Sequence, residues 1–211
     1  MKVKLIRYTP EPDRLCGEAA AICTAADSPI RALRGALASG HESVVEHACF
    51  TFRVESVSRV LLAQFTRHRL ASFSVESQRY CGIAPEWIIP LSIAAAGLKE
   101  QYISKCDEAF EFFCELLVAG VPEEDARYVI PQGVACNLIV TMNARELLHF
   151  FELRCCNRAQ WEIRDLADAM TLMCKAVAPE IFKRAGCACQ QGRPCPEGKR
   201  SCGHPREVLE T

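Results

Sequence analysis

QFTRHRLASFSVESQRYC, residues Gln64–Cys81, packs Arg67, His68, Arg69 and Arg79 into a short span, with Ser72, Ser74, Ser77, Gln78 and Tyr80 between them. A guanidinium offers a planar fork of donors that matches phosphate or carboxylate. Like charges held this densely repel one another, so the cluster calls for a nearby anion. Three arginines and a histidine on a bend after a helix can hold a diphosphate or a nucleotide phosphate, with the hydroxyls and the amide orienting it. The plainer reading makes Arg67 and Arg69 a solvated helix end favoured by the macrodipole.

Upstream of this stretch, residues 2–8 alternate charged and apolar side chains as a strand does, and a helix follows over about 13–26. Ser28-Pro29 starts a second helix, with Ser as N-cap and Pro at the first helical position, that stops at Gly40. Ala48–Val57 alternates Ala48, Phe50, Phe52 and Val54 against Thr51, Arg53 and Glu55, which reads as a half-buried strand. Ser58 caps a short helix carrying Leu61, Leu62 and Phe65 into the arginine run. Downstream, residues 83–92 read as a connector, about 94–119 as one long amphipathic helix ending at Gly120, and PEEDARYVI as a helix closed by Pro131. Residues 134–142 are strand or buried helix, Asn143 is an N-cap for ARELLHFFELR, and a last helix covers about 159–185. The sum is one helix-rich α/β domain over 1–186 and a cysteine-rich tail over 187–211.

The chain has 211 residues, half of them hydrophobic, enough for one sizeable core. A net charge of -1 supplies no global basic field, which argues against a nucleic-acid partner. The N-terminus lacks a signal-peptide pattern, and no apolar run is long enough to span a bilayer, so a cytoplasmic protein without a membrane partner is expected. Of the 14 cysteines, Cys16, Cys23, Cys106, Cys114, Cys136 and Cys174 fall in apolar periodic segments and read as small buried hydrophobes.

Four segments together resemble the flavin-dependent thymidylate synthase family. Arg67-His68-Arg69, seven spacers and Ser77 match its signature without a gap. GHESVVEH at 40–47, GVPEEDARYVIP at 120–131, and NARELLHFFELR at 143–154 followed by AQWEI at 159–163 are similar to its other motifs, in family order. The resemblance implies an α+β fold, helix-rich around a central, mostly antiparallel sheet. It implies methylation of dUMP to dTMP with methylene-tetrahydrofolate as carbon donor and NADPH as reductant through FAD, in a homotetramer with FAD sites at subunit interfaces.

Residue by residue, the resemblance places Ser43, Arg67, His68, Arg69, Asn143, Arg145 and His149 on FAD. It places Gln64, Arg67, Ser77, Gln78, Arg79, Arg127 and Arg154 on dUMP. Arg154 lies against the uracil ring and favours its ionised form, the catalytic role. From spacing alone, Arg145, His149 and Glu152 share one helical stripe, while Leu147, Phe150, Phe151 and Arg154 lie on the adjacent face. The plainer reading of Arg154 is a cation at its helix C-terminus.

Two positions depart from the family pattern. Val75 stands where Glu or Gln is usual, so a side-chain hydrogen bond is lost there, and Glu76 points elsewhere if the chain is extended. His149 stands where some members have Asn; it can offer a nitrogen to a flavin edge, or be a satisfied core histidine. Cys155-Cys156 raise a competing idea, a cysteine nucleophile whose thiol the neighbouring arginine acidifies. In the tail, Cys187, Cys189, Cys195 and Cys202 either form a structural zinc site or sit in a loose reduced segment. Two other functional classes remain: a nucleotide- or RNA-binding module, and a flavin reductase that never methylates.

Overall fold

A computed structural model describes residues 1–80 and 82–209; Cys81, at the end of the arginine-rich stretch, and residues 210–211 lie outside the described residues. The elements are β1 (Lys2–Tyr8), α1 (Pro12–Thr24), α2 (Pro29–Ala38), a 3-10 turn (Glu42–His47), β2 (Cys49–Ser58), α3 (Arg59–Phe65), β3 (Ala71–Val75), α4 (Leu91–Ala95), α5 (Lys99–Val118), α6 (Glu123–Ala126), β4 (Ala135–Asn143), α7 (Ala144–Arg154) and α8 (Trp161–Val177). The four strands form one sheet in the order β1-β2-β4-β3. Register shows the antiparallel sense. Thr9 N–H donates to the Cys49 carbonyl, Ala144 N–H to the Ala48 carbonyl, and Glu76 N–H to the Asn137 carbonyl, so each strand end meets the opposite end of its neighbour.

The chain forms two compact units, and β2, β3 and β4 each run through both. The first unit holds residues 3–53, 67–73 and everything from 139 onward. In it the start of β2 buries Phe50 and Phe52, and Phe182 meets Phe50 edge-on at 5.3 Å and Phe151 at 5.9 Å. Thr51 and Thr141 share a hydroxyl hydrogen bond at 3.0 Å across β2 and β4. Gly17 lets α1 lie against α2: a Cβ there would meet the Pro29 carbonyl oxygen at 2.7 Å.

The second unit holds residues 1–2, 54–66 and 74–138. Here the alternation of β2 slips: Val54 and then Val57 are buried, because Ser56 adopts a left-handed backbone (φ 53) and inserts one residue into the pattern. Asn137 on β4 holds that irregularity, its Oδ1 accepting from Ser56 N–H at 3.1 Å while Glu76 Oε2 accepts from Asn137 N–H and Nδ2. Glu76 thus bonds to the sheet. Ser58 caps α3, its Oγ accepting from Leu61 N–H at 3.0 Å. Trp87 donates to Asp107 at 2.7 Å and Tyr102 to the Ile88 carbonyl at 3.3 Å, tying the connector to α5.

Several expected elements differ. The long helix expected over 94–119 is two, α4 and α5, because Gly97 turns the backbone left-handed at φ 72. PEEDARYVI is only one α turn followed by a 3-10 turn over Arg127–Val129. α8 stops at Val177 because Ala178 precedes Pro179, which disfavours helical geometry at the residue before it. Cys16, Cys106, Cys136 and Cys174 are buried as expected, whereas Cys23 and Cys114 are exposed on the outer faces of α1 and α5.

Candidate active site

The site in the first unit is built on α7. Asn143 caps the helix, its Oδ1 accepting from Glu146 N–H at 2.9 Å, and Glu146, Leu147, Phe150 and Phe151 are buried. His68, at the start of the chain leading to β3, turns inward and is only 4% exposed. Its Nδ1 lies 2.9 Å from Glu146 Oε1, and the Nε–H of Arg154 donates to its Nε2 at 3.2 Å. Because arginine has no acceptor, Nε2 carries the lone pair and Nδ1 the proton. Burial holds the His68 pKa below its ordinary value, with the charge of Arg154 acting in the same direction and Glu146 opposing. Burial, and then the charge of Arg67, lower the Arg154 guanidinium from its ordinary value. A half-buried cation beside another cation is an environment that favours an arriving anion.

Both ring nitrogens of His68, a residue expected on FAD, are hydrogen-bonded within the chain, to Glu146 and to Arg154. Arg67 and Arg69 are exposed and, among the described residues, carry no hydrogen bond or ion pair. Arg145 is exposed and paired with Glu46. Ser43 is exposed on the 3-10 turn. His149 is exposed, correcting the core-histidine reading, with its ring 5.9 Å from that of His68. It lines a cleft of about 630 Å³ together with Leu37, Gly40, Glu152, Lys183 and Arg193. His149 is the one expected site residue on that cleft, whose other walls come from segments distant in sequence.

The second unit holds Gln64, Ser77, Gln78, Arg79 and Arg127. Glu124, which sequence reasoning missed, brings two of them together. Its Oε2 lies 2.6 Å from Arg79 Nη2, and its backbone carbonyl accepts from Arg127 Nε at 3.1 Å. The Arg79 guanidinium also lies 5.4 Å from the centre of the Tyr80 ring, and its backbone N–H donates to Ser77 Oγ at 3.2 Å. Ser77 and Gln78 line a small cavity of about 80 Å³. Gln64 is half-buried on α3.

The cysteine readings change. Cys155 is fully buried, and burial pushes its thiol up to about 12, so it is no nucleophile at neutral pH. The zinc site is corrected: among the described residues no three His, Cys, Asp or Glu side chains gather as metal ligands. Cys187 and Cys189 touch at 3.4 Å, but Cys195 is exposed and Cys202 Sγ turns to the His204 carbonyl at 3.3 Å. The tail is not loose either. Arg206 forks onto Asp168 at 2.9 and 2.7 Å, Asn157 Nδ2 donates to the His204 carbonyl at 2.8 Å, and Gln190 Nε2 to the Glu207 carbonyl at 2.9 Å.

Fold and site together define a helix-rich α/β protein with the exposed Arg67 and Arg69 on either side of a buried histidine. A family model described as thymidylate synthase complementing protein matches residues 4–180. The flavin-dependent thymidylate synthase of Geobacter sulfurreducens is 43% identical over 224 residues, covering 99% of this chain and 96% of that protein. That of Sulfolobus acidocaldarius is 42% identical over 204 residues, covering 90% of this chain and 78% of its own length. The crystal structure of the UMP/dUMP methylase PolB from Streptomyces cacaoi, bound with 5-Br dUMP, shares the fold with a TM-score of 0.78 at 23% identity, over 86% of this chain and 93% of that one. The chain belongs to the flavin-dependent thymidylate synthase family.

Proposed function

We propose that this chain methylates dUMP to dTMP, taking the carbon from methylene-tetrahydrofolate and its reducing equivalents from NADPH through FAD. The observation that carries the reading is the half-buried Arg154 guanidinium, held by His68 Nε2 at 3.2 Å and set beside Arg67. The C5 carbon of uracil must become a nucleophile, and a fixed arginine beside the pyrimidine stabilises the negative charge that this requires. The nearby thiol of Cys155 is too deeply buried and too basic to activate the ring by addition.

The residues present fit a flavin dinucleotide. Arg67 and Arg69 present two guanidinium forks with no partner among the described residues, the donor set that a diphosphate needs. Ser43, Arg145, His149 and the Nδ2 of Asn143 would orient the remainder. The cleft beside His149 has the size of small-molecule sites. When bound, the flavin supplies the hydride chemistry. Arg79, Arg127, Ser77, Gln78 and Gln64 would bind and orient dUMP, its phosphate competing with Glu124 for Arg79.

We further propose a homotetramer with flavin sites at subunit interfaces, as the family resemblance implies, acting in the cytoplasm. Thirteen cysteines described as free thiols support a reducing compartment, and among the described residues no helix is long and apolar enough to cross a membrane. The test is dTMP formation from dUMP, methylene-tetrahydrofolate and NADPH, with and without FAD. Product that requires FAD is the expected result; none from folded, flavin-loaded protein overturns the reading.

A further inference from the structure

Beyond residue 180, where the family match ends, the chain returns to the helix that carries Arg154. Arg206 Nη1 donates to the backbone carbonyl of Cys155 at 2.7 Å, and the same nitrogen reaches Asp168 Oδ1 at 2.9 Å while Nη2 reaches Oδ2 at 2.7 Å. Cys155 follows Arg154 directly and closes α7. The ion pair is four-fifths buried, with side-chain exposures of 21% and 18%, so its geometry is fixed better than a surface pair's would be.

Helix ends fray because their last carbonyls lack intrahelical partners. At the end of α7, Arg206 supplies one partner and ties it to α8 through Asp168. The Arg206 backbone N–H is itself held, donating to Cys189 Sγ at 3.3 Å, and Gln190 joins the next residue to the 187–190 turn, its Nε2 donating to the Glu207 carbonyl and its Oε1 accepting from Cys187 N–H. Arg154 is thus restrained directly by His68 at its guanidinium, and through the backbone by the tail, which holds the carbonyl of the next residue.

We propose that Arg206 is a positioning residue for the reaction, holding the last turn of α7 so that Arg154 meets the pyrimidine in one orientation. This rests on the role of Arg154 proposed above. A lost restraint of this kind lets the reacting group shift by a fraction of its bond length to the substrate, and a displacement of about 1 Å is enough to lower a rate by about a hundredfold.

The test uses the full chain carrying Arg206→Gln or Arg206→Lys. Glutamine ends short of the guanidinium nitrogens, so the Cys155 carbonyl loses its donor and Asp168 its cation; lysine keeps the charge and loses the fork. Expected for Arg206→Gln is a kcat lower by about ten- to a hundredfold, an almost unchanged KM for dUMP, and unchanged flavin content, with Arg206→Lys in between. Amide hydrogen exchange should quicken at residues 151–157 and stay unchanged in β2 and β4. Wild-type kcat in folded Arg206→Gln overturns the proposal, as does a loss of activity that merely follows a loss of folded protein. If wild-type enzyme makes no dTMP, the reaction is wrong, and the exchange measurement still decides the clamp: unchanged protection at 151–157 sinks it.

Discussion

Arg154 donates to the one nitrogen of His68 that has no proton, and Glu146 accepts a hydrogen bond from the N–H of the other. The pair works only while His68 is neutral, because protonation at Nε2 removes the acceptor and sets two cations against each other.

That relationship fixes the sign of the pH dependence. The His68 pKa is held down in the folded protein, chiefly by burial, relative to an ordinary value of 6.5. Below pH 6.5 the unfolded chain takes up a proton that the folded chain refuses, so stability falls as pH drops and levels off only below the folded pKa. We expect turnover and thermal midpoint to decline together on the acid side, and His68→Gln, which cannot titrate, to flatten that limb. An unchanged acid limb in a folded His68→Gln would remove His68 from the explanation.

Replacing Arg154 by Ala should lower kcat by about two to three orders of magnitude, the usual loss for one preorganised donor. Circular dichroism and flavin content should match wild type, because the side chain is half-buried at the end of α7 and outside the apolar core.

Glu146→Ala leaves the buried Nδ1–H of His68 without an acceptor. An unsatisfied buried donor costs about 1–3 kcal/mol, which urea denaturation would read directly. Glu146→Gln retains an oxygen for the same proton and should lose less.

Glu124 pairs with Arg79, the arginine proposed above to meet the dUMP phosphate. The pair is half-exposed, so Glu124→Gln should change stability by less than about 1 kcal/mol. Removing the competing carboxylate should tighten dUMP severalfold, measured by titration calorimetry; weaker binding would mean that Glu124 organises the two arginines rather than competing for one.

Gly17→Ala places a methyl group 2.7 Å from the Pro29 carbonyl oxygen, in backbone that cannot swing aside. Overpacking of this kind should lower stability by about 1–3 kcal/mol in a denaturant titration.

Much of this was legible in the sequence. β2 announced itself through Phe50, Phe52 and Val54, and α7 through the Asn143 cap and its apolar stripe, because those signals are local. β3 was not legible: Ala71–Val75 is short, half-polar and exposed on alternate residues, and it is a strand because β4 lies beside it. The inward turn of His68 was hidden for the same reason, since Glu146 is 78 residues away. Arg67 and Arg69 are exposed, as a solvated helix end would be, while the pairing of Glu124 with Arg79 joins residues far apart in sequence and has no local signal. The four cysteines of the tail left a metal site and a loose segment as the two readings, while its anchors are an arginine and backbone carbonyls.

α7 has one more consequence. Asn143, Arg145, Glu146, His149 and Arg154 all hang from a single rod of eleven residues, about 16 Å long. Such a rod is a ruler whose marks are angular as well as linear. One residue inserted or deleted within it turns everything downstream by about 100° and shifts it by 1.5 Å, carrying Arg154 off His68 even though every residue type is retained. Length in this segment is therefore as constrained as identity.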